Sequence, residues 1–398
     1  MKSEMKNDIE VSDQLVNCDN MKRLSLVLSV IGVIATVLGF KENAQRAWGN
    51  ILVCNYYFLS LAIGASFFAA IQNITQSGWS AMFKRVPEAI TAYLPYGSVL
   101  VLLMGAFGVH SLYHWSHEAA VQSDILLQHK APYLNVTFFL IRLVVSLGLW
   151  FFLTSLLRKF SLREDVEGGL KNFIKGEFYS KVLIFILALT FSLFTFDLIM
   201  SIDSHWFSTI FAIKNFVSAF LHGSALILLM IFALNKRGYF PVLNAAHRHD
   251  LSKYLFMLAM IWGYMWFSQF FLMWYSNIPE ETVYYAQRLR GEWKTIFFAD
   301  LFLNWTFPFL FLLHNRVARN TNALIFTSAL LLFGFWLDIY LQVFPGLTGN
   351  CIIGFVEVGI FSGFLGIFIF SVASALGKTS IIPKNHPYLG ESMAHEVH

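Results

Sequence analysis

Charged residues and cysteines are both scarce in this chain. Charged side chains make up 13% of the 398 residues and hydrophobic side chains 57%, whereas an average soluble domain is about a quarter charged. The three cysteines, Cys18, Cys54 and Cys351, are isolated in sequence, which excludes a Cys-x-x-Cys metal or redox site and a Cys-x-x-Cys-His haem attachment. The net charge of +4 is too small and too scattered to indicate nucleic-acid binding. This composition is typical of a polytopic membrane protein.

Histidines in positions suited to a haem or a metal are also scarce. A transmembrane b-type haem needs two histidines facing each other at matched depth, and only His222 lies deep in an apolar segment. His110, His114 and His117 have the i, i+4, i+7 spacing of ligands on one helix face, but they lie in a polar loop without a nearby cysteine, which favours a surface cluster. No glycine-rich phosphate loop is present. We therefore expect no metal and no cofactor bound by this chain.

Ten apolar segments are long enough to cross a membrane. We predict an all-α polytopic protein with spans at about 24–40, 51–75, 87–108, 133–157, 182–202, 208–234, 253–275, 295–313, 323–343 and 352–376. The first span follows Lys22 and Arg23 without a small-residue cleavage site, which predicts an uncleaved helix. The predicted organisation is a cytoplasmic segment 1–23, a transmembrane domain 24–376 and a cytoplasmic tail 377–398.

The distribution of basic residues predicts the orientation. Most of the 28 lysines and arginines fall in alternate loops, on the side that carries both termini. The positive-inside rule places that side in the cytoplasm, and "inner" and "outer" below follow this orientation. Two outer loops, 110–133 and 277–294, are long. In the second, Pro279 followed by Glu280 and Glu281 predicts a short interfacial helix.

Ionisable side chains recur inside the predicted spans, most of them in the outer half of the membrane. They are Arg142, Asp197, Lys214, His222, Asp300, Asp338 and Glu357. A charge at a helix centre costs about 2.5–3.5 kcal/mol on insertion scales, so these groups should face the protein interior. Such groups mark proton, ion or substrate pathways, although buried ion pairs also serve only to hold helices in register.

The turn between the fifth and sixth spans leads to a specific pairing hypothesis. Asp197 and Lys214 lie each about six residues from the outer surface, or about 9 Å deep, on antiparallel neighbours. We predict that they pair. A proton route would then run from Asp203 or His205 through this pair, joined by Asp300, Asp338 or Glu357, to His222. Below His222 the route would depend on hydroxyl groups and water, and the alternative role for His222 is a hydrogen bond between helices.

Asp203, His205 and Trp206 lie at the outer end of this turn. An acid, a histidine and an aromatic ring near the membrane surface suit a quinol, because quinol oxidation needs a proton acceptor in an apolar slot. The alternative is structural: Asp203 and Ser204 suit the start of the sixth span as capping residues or as packed loop.

Three separated motifs point to a known family. They are HKAPYLN at 129–135, FDLIMSIDSHWFSTIF at 196–211 and FSQFFLMWYSNIPEETVYY at 267–285. In this order they resemble the F subunit of alternative complex III, a bacterial quinol-oxidising assembly that passes electrons to cytochrome c or a terminal oxidase. The resemblance extends over about residues 24–376. That subunit belongs to the NrfD- and polysulfide-reductase-like membrane proteins.

The resemblance implies properties that the residues alone do not show. It implies two four-helix bundles, spans two to five and six to nine, flanked by the first and last spans, in a bacterial inner membrane. It implies a cofactor-free subunit beside a homologous subunit that binds quinol, such as menaquinol, with iron–sulfur and haem c subunits nearby. Its implied work is proton translocation, or support of it, coupled to quinol oxidation. Two alternatives remain: quinol binding by this chain itself, and a stand-alone solute or ion transporter.

Overall fold

The computed structural model describes residues 15–396, so most of the predicted N-terminal segment 1–23 lies outside the described residues. Within the described part the chain contains no strand, and ten helices are long and apolar enough to cross a membrane. They are α1 (Asp19–Glu42), α2 (Ala44–Ile74), α3 (Ala81–Phe107), α4 (Val136–Glu167), α5 (Lys171–Ile202), α6 (Thr209–Asn235), α7 (Ala245–Ser276), α8 (Trp293–Leu312), α9 (Thr321–Leu347) and α10 (Phe355–Leu376). The all-α polytopic fold is confirmed. The grouping into two four-helix bundles stays a prediction.

Several helices extend beyond the predicted spans. The second begins at Ala44 rather than near residue 51, and the seventh begins at Ala245 rather than near 253. Both extensions are polar, as in AAHRHDLS at the start of α7. A hydropathy pattern does not detect such turns, because their side chains are polar. Their backbone hydrogen bonds nevertheless continue the helix.

The centre of the molecule is formed by α2, α6 and α9, the helices with the largest buried share. Two glycines allow α2 and α6 to cross closely. A Cβ at Gly64 would lie 1.9 Å from the backbone oxygen of Ala219, and a Cβ at Gly223 would lie 2.8 Å from the Gly64 backbone. Small residues at such crossings let membrane helices approach backbone to backbone. The crossing also places His222, the neighbour of Gly223, in the protein interior.

The first and last spans pack against each other through small residues. A Cβ at Gly32 would lie 2.1 Å from the Cα of Gly363, and one at Gly359 would lie 2.3 Å from the Cβ of Ala35. Gly359 and Gly363 have the G-x-x-x-G spacing of close membrane-helix contacts. The opposite face of α1 is apolar and exposed, as expected where a helix faces lipid.

Helix α8 is irregular at its centre. Residues Phe302–Thr306 form a π-helical turn that ends two residues before Pro308. Proline has no N–H to donate, and its ring clashes with the carbonyl four residues earlier, here that of Asn304. The wider turn accommodates this conflict, and π turns of this kind are frequent at functional sites.

Both long outer loops fold onto the outer ends of the spans. The interfacial helix predicted in the second loop is confirmed and covers Pro279–Arg288. The first loop contains the short helix Ile125–Lys130, whose N-terminus is capped by the Asp124 carboxylate. Lys130 Nζ donates to the Ser204 carbonyl at 2.6 Å, which ties this loop to the turn between α5 and α6.

Candidate functional site

A group of polar side chains, which we call the central polar cluster, lies where α6, α8 and α9 meet. Each helix contributes residues four positions apart, so that they share one face. The members are Lys214, Ser218 and His222 of α6, Asp300 and Asn304 of α8, and Asp338 and Gln342 of α9. All seven are buried.

Asp338 is the most extensively bonded acid of the cluster. Its Oδ1 forms an ion pair with Lys214 Nζ and accepts a hydrogen bond from Gln342 Nε2 at 2.9 Å. Its Oδ2 accepts from Ser218 Oγ at 3.2 Å. The Lys214 ammonium also lies 5.3 Å from the centroid of the Trp262 ring, a cation–π arrangement. Lys214 and Asp338 therefore neutralise each other.

The other acid of the cluster has no cation. Asp300 Oδ1 accepts a hydrogen bond from Asn304 Nδ2 at 2.7 Å. Its Oδ2 is buried without a hydrogen-bond partner among the described residues. A buried carboxylate normally has its oxygens paired, because leaving one unpaired costs about 1–3 kcal/mol or more. Asp300 is thus the group best placed in this cluster to hold a proton.

Asn304 connects Asp300 to His222. Its Oδ1 lies 2.9 Å from His222 Nε2, while His222 Nδ1 lies 2.6 Å from the Ser218 carbonyl oxygen. The imidazole also stacks on Phe335, with ring centroids 4.3 Å apart. The result is an unbroken row of three side chains, from the carboxyl of Asp300 through the amide of Asn304 to the imidazole of His222.

The hydrogen-bond partners of His222 permit two proton arrangements. The Ser218 carbonyl only accepts, so Nδ1 carries a hydrogen in both. With Asn304 Oδ1 facing Nε2, that nitrogen also carries a hydrogen, so the imidazole is charged and Asp300 is ionised. With the amide reversed, Asn304 donates to Nε2 and accepts from Asp300, so the imidazole is neutral and Asp300 protonated. One proton thus has two sites, and the Asn304 amide adapts to either.

A small cavity adjoins the cluster on its outer side. It has a volume of about 20 Å³, enough for about one water molecule. Its lining includes Lys214, Asp300, Asp338, Gln269 and Gln342. Gln269 Nε2 and Gln342 Oε1, like Asp300 Oδ2, are buried without a hydrogen-bond partner among the described residues. The unpaired atoms and the cavity therefore lie together.

Residues of the outer loops cover this cavity. Arg288 donates to the carbonyl oxygens of Leu341 and Gln342 at 3.0 and 2.8 Å, and forms an ion pair with Asp203 at 3.3 Å. Its guanidinium carbon lies 3.3 Å from the centroid of the Tyr284 ring, and Tyr284 stacks on Trp206 at 3.9 Å. We call Asp203, Trp206, Tyr284 and Arg288 the outer cap.

The three residues proposed for quinol are not brought into one slot. Asp203 and Trp206 belong to the packed outer cap, whereas His205 is exposed and contacts Asp124 Oδ2 at 2.5 Å. This hydrogen bond from His205 lowers the pKa of Asp124 below its usual range. The capping alternative for Asp203 is wrong, because α6 begins at Thr209 with Ser208 at the cap position. Its carboxylate pairs with Arg288 instead.

The predicted pair between Asp197 and Lys214 is wrong. Asp197 accepts two hydrogen bonds from Arg142 of α4, at 2.7 and 2.9 Å, and Lys214 pairs with Asp338. Arg142 also donates to the Tyr133 carbonyl at 3.0 Å and lies 3.9 Å from the centroid of the Tyr133 ring. Equal depth does not make two residues meet, because each residue turns the side chain by about 100° around its helix.

Glu357 does not belong to the central polar cluster. It forms a two-pronged ion pair with Arg46 at 2.7 Å, accepts from Asn50 at 3.0 Å, and accepts the Gly354 N–H at 2.9 Å. Because α10 begins at Phe355, Glu357 lies in the first turn of this helix rather than five residues within it. Its negative charge there complements the helix dipole. Glu357 thus joins α10 to the outer end of α2.

The loop histidines do not share a helix face. The helix that contains His110 ends at Leu112, before His114 and His117. His117 Nε2 lies 2.8 Å from the His110 carbonyl oxygen, and His110 Nδ1 lies 3.1 Å from Ser116 Oγ. These contacts are internal to the loop. Among the described residues no group of three or more histidine, cysteine, aspartate or glutamate side chains could hold a metal ion.

On the inner side of His222 the interior offers hydroxyl and amide groups. Ser224 and Ser328 have buried hydroxyls without a hydrogen-bond partner among the described residues. Nearer the inner face, Gln72 donates to Tyr254 Oη at 2.7 Å and accepts from Ser80 Oγ at 3.2 Å. Whether a proton route continues through these groups with water, or ends at His222, stays a prediction.

Sequence reasoning missed Asn304, Gln342 and Arg288. A signal for the first two was present, since Asn304 follows Asp300 by four residues and Gln342 follows Asp338 by four. On a helix that spacing predicts one shared face. Arg288 had no such signal, because its carbonyl partners become available only where the loop helix meets the outer end of α9.

The comparisons with known proteins do not add to this geometry. No protein-family model matches the chain, and no curated protein does.

Proposed function

We propose that this chain is a cofactor-free membrane subunit of a quinol-oxidising respiratory complex of the alternative complex III type. In that complex it carries protons, or supports their movement, while quinol is oxidised in a neighbouring subunit. The proposal includes a bacterial inner membrane, cytoplasmic termini, and partners that hold haem c and iron–sulfur clusters. Membership rests on the three sequence motifs. The role in proton movement rests on the central polar cluster.

The observation that carries the proton role is the unequal charge of this cluster. Two carboxylates, Asp300 and Asp338, face one lysine, and Lys214 is engaged by Asp338. A purely structural cluster would gain nothing from a second acid with an unpaired oxygen, because burial of an uncompensated charge is costly. Interior ionisable groups of this kind mark proton relays in membrane proteins.

The geometry supports a defined sequence of proton positions. A proton reaching the cavity first occupies Asp300 Oδ2, the open carboxylate oxygen. Its transfer to His222 requires the carboxyl to turn this proton toward Asn304 and ends with the amide reversed, since the two arrangements differ in the direction of both hydrogen bonds. His222, which faces Asn304 through Nε2, is the innermost of these positions. From there the buried hydroxyls of Ser224 and Ser328 lie on the inner side.

Purification tests the membership. The full chain with an affinity tag is extracted in mild detergent and the material that accompanies it is examined by visible spectroscopy and mass spectrometry. We expect haem c and iron–sulfur proteins to accompany it in fixed proportion. Isolation of the chain alone, without cofactors, would favour the stand-alone transporter.

A proton-yield measurement tests the relay. We expect His222→Phe in the intact complex, reconstituted in sealed vesicles, to keep quinol oxidation but to release fewer protons per quinol. His129→Phe is the matched control, because His129 is exposed in an outer loop and outside the cluster. An unchanged yield at normal electron flow in His222→Phe would rule out a required relay through this histidine.

The two alternatives receive less support from the geometry. A solute carrier needs a substrate-sized site near the midplane, and the cavity at the cluster holds about one water molecule. For quinol binding in this chain, the stacked rings of Trp206 and Tyr284 fill the outer position where a quinone ring would lie.

A further inference from the structure

A second cavity with a very different lining lies between the middle of α3, the inner half of α4 and the inner end of α10. Its volume is about 410 Å³. It is lined by residues from the middle of α3, such as Tyr96, by the inner half of α4 around Arg158, and by the last turns of α10. We call it the basic groove. By the charge distribution of the chain, this is the cytoplasmic edge of the membrane.

The groove contains two cations and no acid. Arg158 of α4 and Lys378, just after α10, both line it, and its lining includes neither aspartate nor glutamate. Neither cation forms an ion pair within the described part of the chain. Arg158 donates only to backbone carbonyls, at 3.4 Å to Glu88 and 3.1 Å to Ala375. A guanidinium has five N–H donors, so donors remain for a ligand.

Three hydroxyl groups add further donors. Ser155, Ser374 and Thr379 line the groove, and their side chains form no hydrogen bond with the described residues. By contrast, Thr154 and Ser371 in the same lining already donate to carbonyls of their own helices. Cations with open hydroxyls, in a lining without a carboxylate, suit a phosphate group, which accepts several charge-assisted hydrogen bonds.

The outward side of the groove is apolar. Tyr96 and Phe151 line it and are 44% and 46% exposed, on helices that face lipid. A ligand with a phosphate head and hydrocarbon chains would therefore place the head at Arg158 and Lys378 and its chains along these rings. Basic pockets between membrane helices on the cytoplasmic side are suited to anionic lipid head groups.

We propose that the basic groove is a binding site for the head group of an anionic phospholipid. Free phosphate and a phospholipid would offer the same phosphate group to the cations. The apolar continuation of the groove favours the lipid. The site does not depend on the proposed respiratory function. Bound there, the lipid would contact α3, α4 and α10, the same helices that Arg158 connects through the Glu88 and Ala375 carbonyls.

The test compares Lys378→Gln and Arg158→Gln with the matched control Lys159→Gln. Lys159 is the exposed neighbour of Arg158 and does not line the groove. The full chain, in whatever assembly it is purified with, is extracted in mild detergent, and bound phospholipids are counted by native mass spectrometry. After delipidation, its thermal unfolding is followed with added phosphatidylglycerol, phosphatidylethanolamine or inorganic phosphate.

We expect retained phosphatidylglycerol or cardiolipin in the unaltered chain and in Lys159→Gln. Each groove substitution should weaken that binding about fivefold, which corresponds to about 1 kcal/mol per basic residue near an anionic lipid. If Arg158→Gln does not fold, Lys378→Gln alone is sufficient for the test. The Lys378 side chain is exposed and makes no contact that supports the fold. Phosphatidylglycerol should raise the unfolding temperature, and phosphatidylethanolamine should do so less.

Three results would overturn the proposal. One is equal lipid retention in Lys378→Gln and Lys159→Gln. Another is equal stabilisation by both phospholipids, since the groove would then not distinguish an anionic head group. The third is full stabilisation by inorganic phosphate, which would identify a site for the free ion.

Discussion

Two buried charge systems of this chain differ in how completely they are paired. Arg142 and Asp197 form a closed unit with two short hydrogen bonds, a backbone acceptor and aromatic rings around the guanidinium. The central polar cluster has one acid more than its lysine can neutralise, and an open carboxylate oxygen on Asp300. The comparison teaches that buried charges in one chain differ in how completely they are compensated. Under the proposed function, the proton site is the acid that has no cation and has room beside it.

The largest expected effect comes from opening the closed unit. Asp197→Asn leaves the Arg142 guanidinium buried without its carboxylate, and should lower the free energy of unfolding by about 3–5 kcal/mol. The double variant Arg142→Met with Asp197→Leu should recover most of that loss, because a buried ion pair is often replaceable by apolar residues. Unfolding of the purified protein in a denaturing-detergent titration measures both.

A third variant distinguishes this pair from the one expected from the sequence. Asp197→Asn combined with Lys214→Met should be less stable than either single variant, since it breaks two separate ion pairs. Rescue by Lys214→Met instead would contradict the arrangement of charges described above.

The next effect in size comes from displacing the Asn304 amide. A Cβ at Gly334 would lie 2.5 Å from Asn304 Oδ1, so Gly334→Ala should cost about 1–3 kcal/mol by overpacking. It should also reduce the proton yield per quinol, because the amide moves away from His222. Gly148→Ala is the matched control, since nothing lies within 4 Å of a Cβ there. A normal proton yield in Gly334→Ala would exclude Asn304 from the relay.

Outside the membrane, a buried histidine should make the docking of the C-terminal segment depend on pH, in contrast to the paired charges within the spans. Burial, and then the charges of Lys84 and Arg85, lowers the pKa of His386 to about 3, and its Nδ1 accepts the Tyr388 N–H at 3.3 Å. Released from the inner face, the imidazole would titrate at about 6.5. Docking of the C-terminal segment 382–394 is therefore strongest above pH 6.5. It should weaken by up to about 1.4 kcal/mol per pH unit as the pH falls from 6.5 toward 3.

Hydrogen exchange of segment 382–394 at pH 7.0 and 5.5, corrected for the intrinsic rates, measures this docking. His386→Phe keeps a ring against Phe173, which the imidazole meets edge to face at 5.5 Å, and cannot gain a proton. Its exchange should lose the pH dependence. If the dependence persists in that variant, another group controls the docking.

The smallest effect on stability is expected at Asp300. Asp300→Asn keeps an oxygen for the Asn304 amide and removes an acid that has no cation, so the free energy of unfolding should change by less than about 1 kcal/mol or rise. Its proton yield should nevertheless fall. Asp338→Asn is the contrasting variant, because it leaves Lys214 unpaired and should destabilise the protein strongly. If both substitutions lower the free energy of unfolding equally, Asp300 and Asp338 do not differ in pairing, which would contradict the structure described above.

Much of this architecture was accessible from the sequence. Apolar length predicted the ten spans, and Pro279 with Glu280 and Glu281 predicted the outer helix. The burial of Lys214, His222, Asp300 and Asp338 followed from their place within apolar runs. Pairing did not follow, as Asp197 shows: its depth matched that of Lys214, but its partner is Arg142.

The sequence by itself determined which side chains enter the membrane and at what depth, because hydrophobic length and the 1.5 Å rise of a helix depend only on order along the chain. Tertiary structure alone decided which of them meet. That choice depends on the rotation of each helix about its axis and on close crossings such as Gly64 against Gly223. It also depends on the π turn before Pro308, where Asn304 lies between Asp300 and His222. These features arise from the packing of distant segments, and so the unpaired acid becomes visible only in the folded chain.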